Sequence, residues 1–405
     1  MSSYHSANTS LVRVAFFEPY PMGLGGNFLT QHLILERLDP KRFKPLIIAP
    51  ADGAALTQFR AMGVECVVLK PSGVLGSYGG AALRTNIFCK IKSVFDLVRY
   101  NLQIARLLRK YSIDVIYSNC VRAQLCVGLG ALLTRTPSLL YIKGELANPI
   151  IDRLCYFLAS KLLFFCESNR DDQYPILTRW YARKIDILRI GMDTSQLEAV
   201  ENADHTEIRR GLSIRDDALN AVVIAQLYKP KGQHLAIEAL AKLVLEFPNL
   251  HLYLLGDHVI DEYRPYRDEL ETQIARHRLE KHVHFTGWRK DALAITTQMD
   301  IVIHPSLSEG FGRAVLEAMA LGKPVIASAV GGLREAIKDG QNGYLVATGD
   351  AKAIENRWRE LAKNPSLRKK LGTEAKRTVY RDYLIDDKVE RLSSIWRSMV
   401  GKDGR

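Results

Sequence analysis

The chain has 405 residues, 47% of them apolar and 25% charged, with a formal charge of +12 at pH 7. That length exceeds what one hydrophobic core organises, so two domains of about 200 residues each are expected. The composition excludes a disordered or fibrous chain, and the cations are dispersed without a basic tail, which argues against nucleic acid and for another anionic partner.

Apolar β-branched runs alternate with amphipathic stretches along the whole chain, the pattern of βαβ units and a parallel sheet. Val12–Phe17 reads as the first strand, followed by a glycine turn and a helix over 27–38. Strands are expected over 45–49 and 66–69, and a long helix over Ile87–Lys110. Further strands follow over 115–117, 139–142, 162–165 and 185–188. Residues 194–220 are polar and charge-mixed, which fits a linker with one short helix. A second series begins over 221–225 and runs through Leu250–Leu255, 282–285, Ile301–His304, 324–327 and 343–346. An amphipathic helix over 386–400 ends the pattern. The expected domains are therefore 1–193 and 194–380, with 381–405 as a helix crossing back to the first. The fold class is α/β, with two tandem Rossmann-like doubly wound domains and a cleft between them.

Cys66, Cys89, Cys120, Cys126, Cys155 and Cys166 form no CxxC pair and sit mostly in apolar stretches, so they read as reduced, buried thiols. Residues 1–10 are polar and lack a signal-peptide core, and the longest apolar stretch, near 154–165, carries Lys161 and is too short to span a bilayer. A soluble or peripheral cytoplasmic protein is the expectation. Two readings stand for Ile87–Lys110, whose apolar positions are interspersed with Lys90, Lys92, Arg99, Arg106, Arg109 and Lys110. It is a core-facing helix with a solvated face, or its basic face lies on an anionic membrane.

The densest chemistry lies in S-L-S-E-G-F-G-R-A-V-L-E-A-M-A-L-G, residues 306–322. A strand ends at His304, a loop carries Glu309, and a helix begins near Gly312. Gly310 and Gly312 let the backbone approach a ligand, and amides at Phe311, Gly312 and Arg313 leave a helix N-terminus suited to a diphosphate. Glu317, about a turn and a half into the helix, lies near enough to the same ligand to accept hydroxyl hydrogen bonds. His304 before Pro305 reads as a satisfied, half-buried histidine, and no second metal ligand stands at suitable spacing.

The 306–322 segment resembles the E-x7-E signature of the GT4 family of retaining, GT-B-fold glycosyltransferases, and G-G-L-R-E over 331–335 and D-G-Q-N-G-Y-L-V over 339–346 continue the likeness. The resemblance implies a catalytic Glu309 at the transferred sugar, Glu317 at the ribose, and Gly310, Phe311 and Gly312 completing the donor contacts. A-Q-L-Y-K-P-K-G over 225–232 is similar to the family's G-R-L-x-x-x-K-G, with Lys231 as the catalytic lysine that neutralises the diphosphate. Gln226 replaces the family's arginine, and Lys229 or Arg313 is expected to restore part of that charge. Gly25 and Gly26, in G-L-G-G-N, match a glycine pair that approaches donor and acceptor, although a plain βα turn explains them equally and Asn27 could simply cap the helix. Acceptor roles for Asn119, Arg122, Lys143 and Glu145 compete with structural ones, since the family's histidines near Asn119 and Lys143 are absent.

The resemblance thus implies transfer from a nucleotide-diphosphate sugar to a saccharide or polyprenyl-linked acceptor, with retention and with neither cofactor nor metal. Two rivals remain. A silent sugar-nucleotide-binding partner subunit would suit Gln226 and the missing histidines. An NAD-dependent oxidoreductase would need a third glycine where Phe28 stands.

Overall fold

The computed structural model describes residues 11–71, 87–143, 148–173, 179–258 and 263–401. Contacts divide the chain into two compact units. The first comprises Met1–Phe165, Arg170–Arg189 and Ile385–Arg405; the second comprises Cys166–Asn169 and Ile190–Leu384.

The first unit is built on strands β1 (Val12–Phe17), β2 (Phe43–Ala49), β3 (Glu65–Val68), β4 (Val115–Ser118), β5 (Ser138–Ile142), β6 (Lys161–Phe164) and β7 (Ile185–Ile187). All pair in parallel, in the order β3-β2-β1-β4-β5-β6-β7. Pro45 lies inside β2, where its missing N–H would ordinarily break a ladder. It sits opposite Val14 of β1, one residue before pairing with β3 begins at Leu46.

Strand alternation decides what each face of this sheet meets. Ala15, Phe17, Leu46, Ile48 and Ile116 pack with Tyr100, Ile104 and Leu108 of the helix Ile87–Lys110. On the other face Phe16, Phe43 and Tyr117 surround Trp396 of the final helix, Ile385–Met399, at ring distances of 5.6, 5.8 and 5.7 Å. Arg42–Glu390 and Arg391–Asp186 ion pairs flank that contact. The final helix is therefore part of the first unit's core.

The second unit repeats the plan with β8 (Leu219–Ile224), β9 (Leu250–Leu255), β10 (Val283–Gly287), β11 (Ile301–His304), β12 (Val325–Ser328) and β13 (Tyr344–Val346). Their order, β10-β9-β8-β11-β12-β13, is the doubly wound Rossmann order with its reversal between β8 and β11. Where one short helix was expected over 194–220 there are two, Ser195–Glu201 and Thr206–Gly211. Each is too short to show an apolar period, and Asp193 and Asp204 accept from the amides of Ser195 and Thr206 at their starts.

Cys155 and Cys166 are buried and Cys66, Cys120 and Cys126 partly so, all as free thiols. Burial pushes the Cys126 and Cys155 thiols up to about 12, which makes them unreactive. The Cys89 side chain lies outside the described residues.

Candidate active site

The site forms at the β8/β11 reversal, beyond the carboxyl ends of both strands. After β8 the chain makes a 3-10 turn, Lys229–Lys231, before the helix Gln233–Leu243. After β11 it loops through residues 305–312 into the helix Arg313–Ala320. Gly312 starts that helix with φ 79°, a left-handed backbone that a side chain would strain, and no side chain caps the first turn. A Cβ on Gly331 would meet the Glu309 carbonyl oxygen at 2.1 Å and that of Gly310 at 2.4 Å. The amide of Gly332 donates to the Gly310 carbonyl at 2.9 Å. The 331–332 turn therefore clamps the Glu309 loop in place.

This backbone brings Lys231 and Glu309 together from elements 78 residues apart, with Nζ 2.7 Å from Oε2. The same carboxylate oxygen contacts Nε2 of His304 at 3.0 Å, and the Ser306 hydroxyl lies 3.1 Å from that nitrogen. Oε1 accepts from the Gly310 amide at 3.1 Å. Burial raises the Glu309 carboxyl, but the His304 contact and the Lys231 ammonium outweigh it and hold the pKa at about 2. A carboxylate so held stays charged throughout the physiological range.

His304 is 3% exposed, more deeply buried than expected, and works in this network. The sequence reads it as a satisfied, half-buried histidine. The signal was its place as the last residue of β11, five before Glu309. Among the described residues, no group of three His, Cys, Asp or Glu side chains could hold a metal ion.

Glu317 lies one turn beyond Arg313 on the same helix, and Arg313 Nε donates to it at 3.1 Å. Burial raises the Glu317 carboxyl against the pull of Arg313. Lys229 pairs with Glu269 at 3.0 Å, so both cations expected to stand in for an arginine at Gln226 are ion-paired here. The Gln226 side chain is exposed, while its carbonyl accepts from Gln233 Nε2 at 2.7 Å. Phe311 is buried edge-on to Tyr383 with ring centroids 5.6 Å apart, so it faces the core and only its backbone borders the site.

The first unit's candidates are spread over its own β1/β4 reversal. Gly25 precedes the helix Gly26–Glu36, and Asn27 is inside that helix and does not cap it. A Cβ built on Gly25 or Gly26 meets nothing within 4 Å. Asn119 is fully buried: Nδ2 donates to the Asn27 carbonyl at 2.8 Å, and Oδ1 accepts from Tyr117 at 3.1 Å. Its polar atoms are thus held by the unit itself. Lys143 Nζ lies 3.2 Å from the Thr30 hydroxyl, and Arg122 lies over the Tyr20 ring at 5.3 Å. Glu145 lies outside the described residues.

Glu18 was missed. It follows β1 directly, is fully buried, and accepts from Gln31 at 2.8 Å and the Tyr20 amide at 2.7 Å. Burial raises its pKa against these bonds and the nearby Lys143 charge. A carboxylate directly after an apolar strand was the readable signal.

Residues 204–378 match the family model described as glycosyl transferases group 1. The putative glycosyltransferase EpsD of Bacillus subtilis (strain 168) is 31% identical over 215 residues, covering 53% of this chain and 54% of EpsD, so the chain spans about half the length of that relative. The capsular polysaccharide biosynthesis glycosyltransferase CapM of Staphylococcus aureus is 24% identical over 320 residues, covering 76% of this chain and 83% of CapM. Among solved structures, Anabaena HepE in complex with UDP shares the fold with a TM-score of 0.78 and 21% identity, over 96% of this chain and 100% of HepE. The fold is GT-B, and residues 204–378 carry the likeness to the glycosyl transferases group 1 family.

Proposed function

We propose that the chain transfers a glycosyl group from a nucleotide-diphosphate sugar to a saccharide or polyprenyl-linked acceptor. The transfer proceeds with retention of anomeric configuration and without a metal, in the cytoplasm during surface-polysaccharide or glycolipid assembly. The observation that carries this reading is the Lys231–Glu309 pair at 2.7 Å beside the N-terminus of Arg313–Ala320. An arriving diphosphate competes for the Lys231 ammonium and gains the first-turn amides of the helix, which favour negative charge. Glu309, released from Lys231 and still ionised, accepts a hydroxyl of the sugar, and Glu317 accepts those of the ribose. The charge that grows on the leaving diphosphate then faces a fixed cation and fixed dipoles, a preorganised setting that stabilises the transition state more than the ground state. The departing phosphate oxygen takes the acceptor proton on the face it leaves.

UDP in the HepE complex and the polysaccharide assignment of CapM support this donor and acceptor class. The direct test measures nucleoside-diphosphate release from a panel of UDP-, GDP- and ADP-sugars with candidate acceptors. Turnover with one donor, cut about 10²- to 10³-fold by Lys231→Ala, is expected. Donor binding without turnover on any acceptor would favour the silent binding subunit instead.

A further inference from the structure

The helix Ile87–Lys110 turns Tyr100, Ile104, Leu107 and Leu108 into the first unit's core, and its opposite face carries an unusual set of residues. Ile91, Val94, Phe95, Val98 and Leu102 repeat at the three- and four-residue spacing of one helix face, and all are exposed, Phe95 by 67% and Ile91 by 63%. Lys92, Arg99, Arg106, Arg109 and Lys110 are exposed beside them. The helix has one carboxylate, Asp96, and it is buried.

Two neighbouring helices in the same layer extend this surface. Val121–Thr134 packs against the first helix and exposes Leu132 and Leu133. Pro149–Leu158 packs against the second and exposes Ile150, Leu154 and Phe157, with Ile150 80% exposed and Arg153 exposed among them. A solvated helix face carries mixed charges and scattered apolar residues; this one carries an apolar stripe fringed, among the described residues, by exposed cations. Among the described residues no helix is long and apolar enough to cross a membrane. Apolar side chains flanked by cations instead suit the boundary between acyl chains and anionic headgroups, where a helix lies in the plane of the surface.

We infer that this three-helix face seats the first unit on an anionic lipid bilayer. The stripe of Ile87–Lys110 enters the headgroup region, and Arg99, Arg106 and their neighbours pair with lipid phosphates. The inference is independent of the transferase reading, because the binding needs neither donor nor acceptor.

The test is flotation of the full chain with vesicles of phosphatidylcholine alone or mixed with phosphatidylglycerol, at low and high salt. Binding to the mixed vesicles is expected to exceed binding to the neutral ones and to weaken with salt. It should fall about fivefold for each cation removed in Arg99→Gln and Arg106→Gln. In the Val94→Asp/Phe95→Asp variant it should drop by roughly tenfold or more. Melting temperature and nucleotide binding are read in parallel; if the Asp variant melts early, Val94→Ser/Phe95→Ser takes its place. Equal binding to neutral and anionic vesicles would overturn the proposal. So would an absence of vesicle binding together with self-association that the same apolar variants abolish, since that would make a second copy the occupant.

Discussion

The two units share one strand order at their reversals, yet they organise polar side chains there in different ways. In the second unit, Lys231, His304, Ser306 and the Gly310 amide converge directly or through His304 on the Glu309 carboxylate, and the 331–332 turn holds its loop from behind. In the first unit, Glu18 accepts from Gln31, Asn119 donates to the Asn27 carbonyl, Lys143 lies beside Thr30 with its charge near Glu18, and the Gly25–Gly26 turn lies under open space. One reversal is assembled around a single charged centre; the other is satisfied piecemeal. A fixed charged centre of this kind suits an anionic ligand group such as a diphosphate.

That contrast can be broken most severely at the first unit's dependence on the final helix, Ile385–Met399. Trp396→Ala removes a fully buried indole from among Phe16, Phe43 and Tyr117. A loss of about 3–5 kcal/mol is expected in denaturant unfolding. Because these ring contacts lie in the first unit, nucleotide binding by the protein that remains folded should persist.

A smaller effect separates His304 from a merely structural histidine. His304→Ala removes the strongest of the contacts that hold Glu309 down, so the carboxyl pKa should rise from about 2. The sign follows from linkage: a depressed carboxyl contributes stability above its unfolded value, lost as pH falls through the folded one. Wild-type protein should keep this contribution through mildly acidic pH, whereas the variant should lose activity and stability at higher pH. A pH profile parallel to wild type would assign His304 to packing alone.

The smallest effect bears on Gly26. It lies in the first turn of its helix under open space, so Gly26→Ala should leave stability unchanged or raise it by about 0.5–1 kcal/mol. A fall in turnover beside an unchanged melt would then mark close approach of a ligand. An unchanged turnover would leave the turn purely a connection.

The strands were legible because a parallel sheet covered on both faces reads as short continuous apolar runs, and those of β1, β9 and β11 stand out by themselves. Their ends were less legible: Phe43 and Lys44 extend β2 although the apolar run starts beyond them. The pair of short helices over 195–211 was hidden for the same reason, since neither turns often enough to show a period. In the site, Glu309, Glu317 and Lys231 were recognisable from motif spacing. The buried settings of His304 and Glu18 were not, since each depends on what the folded chain packs around it. Asn119 shows the converse, a polar residue at the right strand end whose bonds are taken by Asn27 and Tyr117.

The central claim is that a diphosphate is held by Lys231 and the start of Arg313–Ala320. Calorimetric titration of wild type and Lys231→Ala with UDP, or with whichever nucleoside diphosphate the donor panel selects, and with the matching nucleoside tests it most directly. The substitution is expected to weaken diphosphate binding by roughly tenfold or more while leaving nucleoside binding unchanged. Equal weakening of both, or of neither, would contradict it.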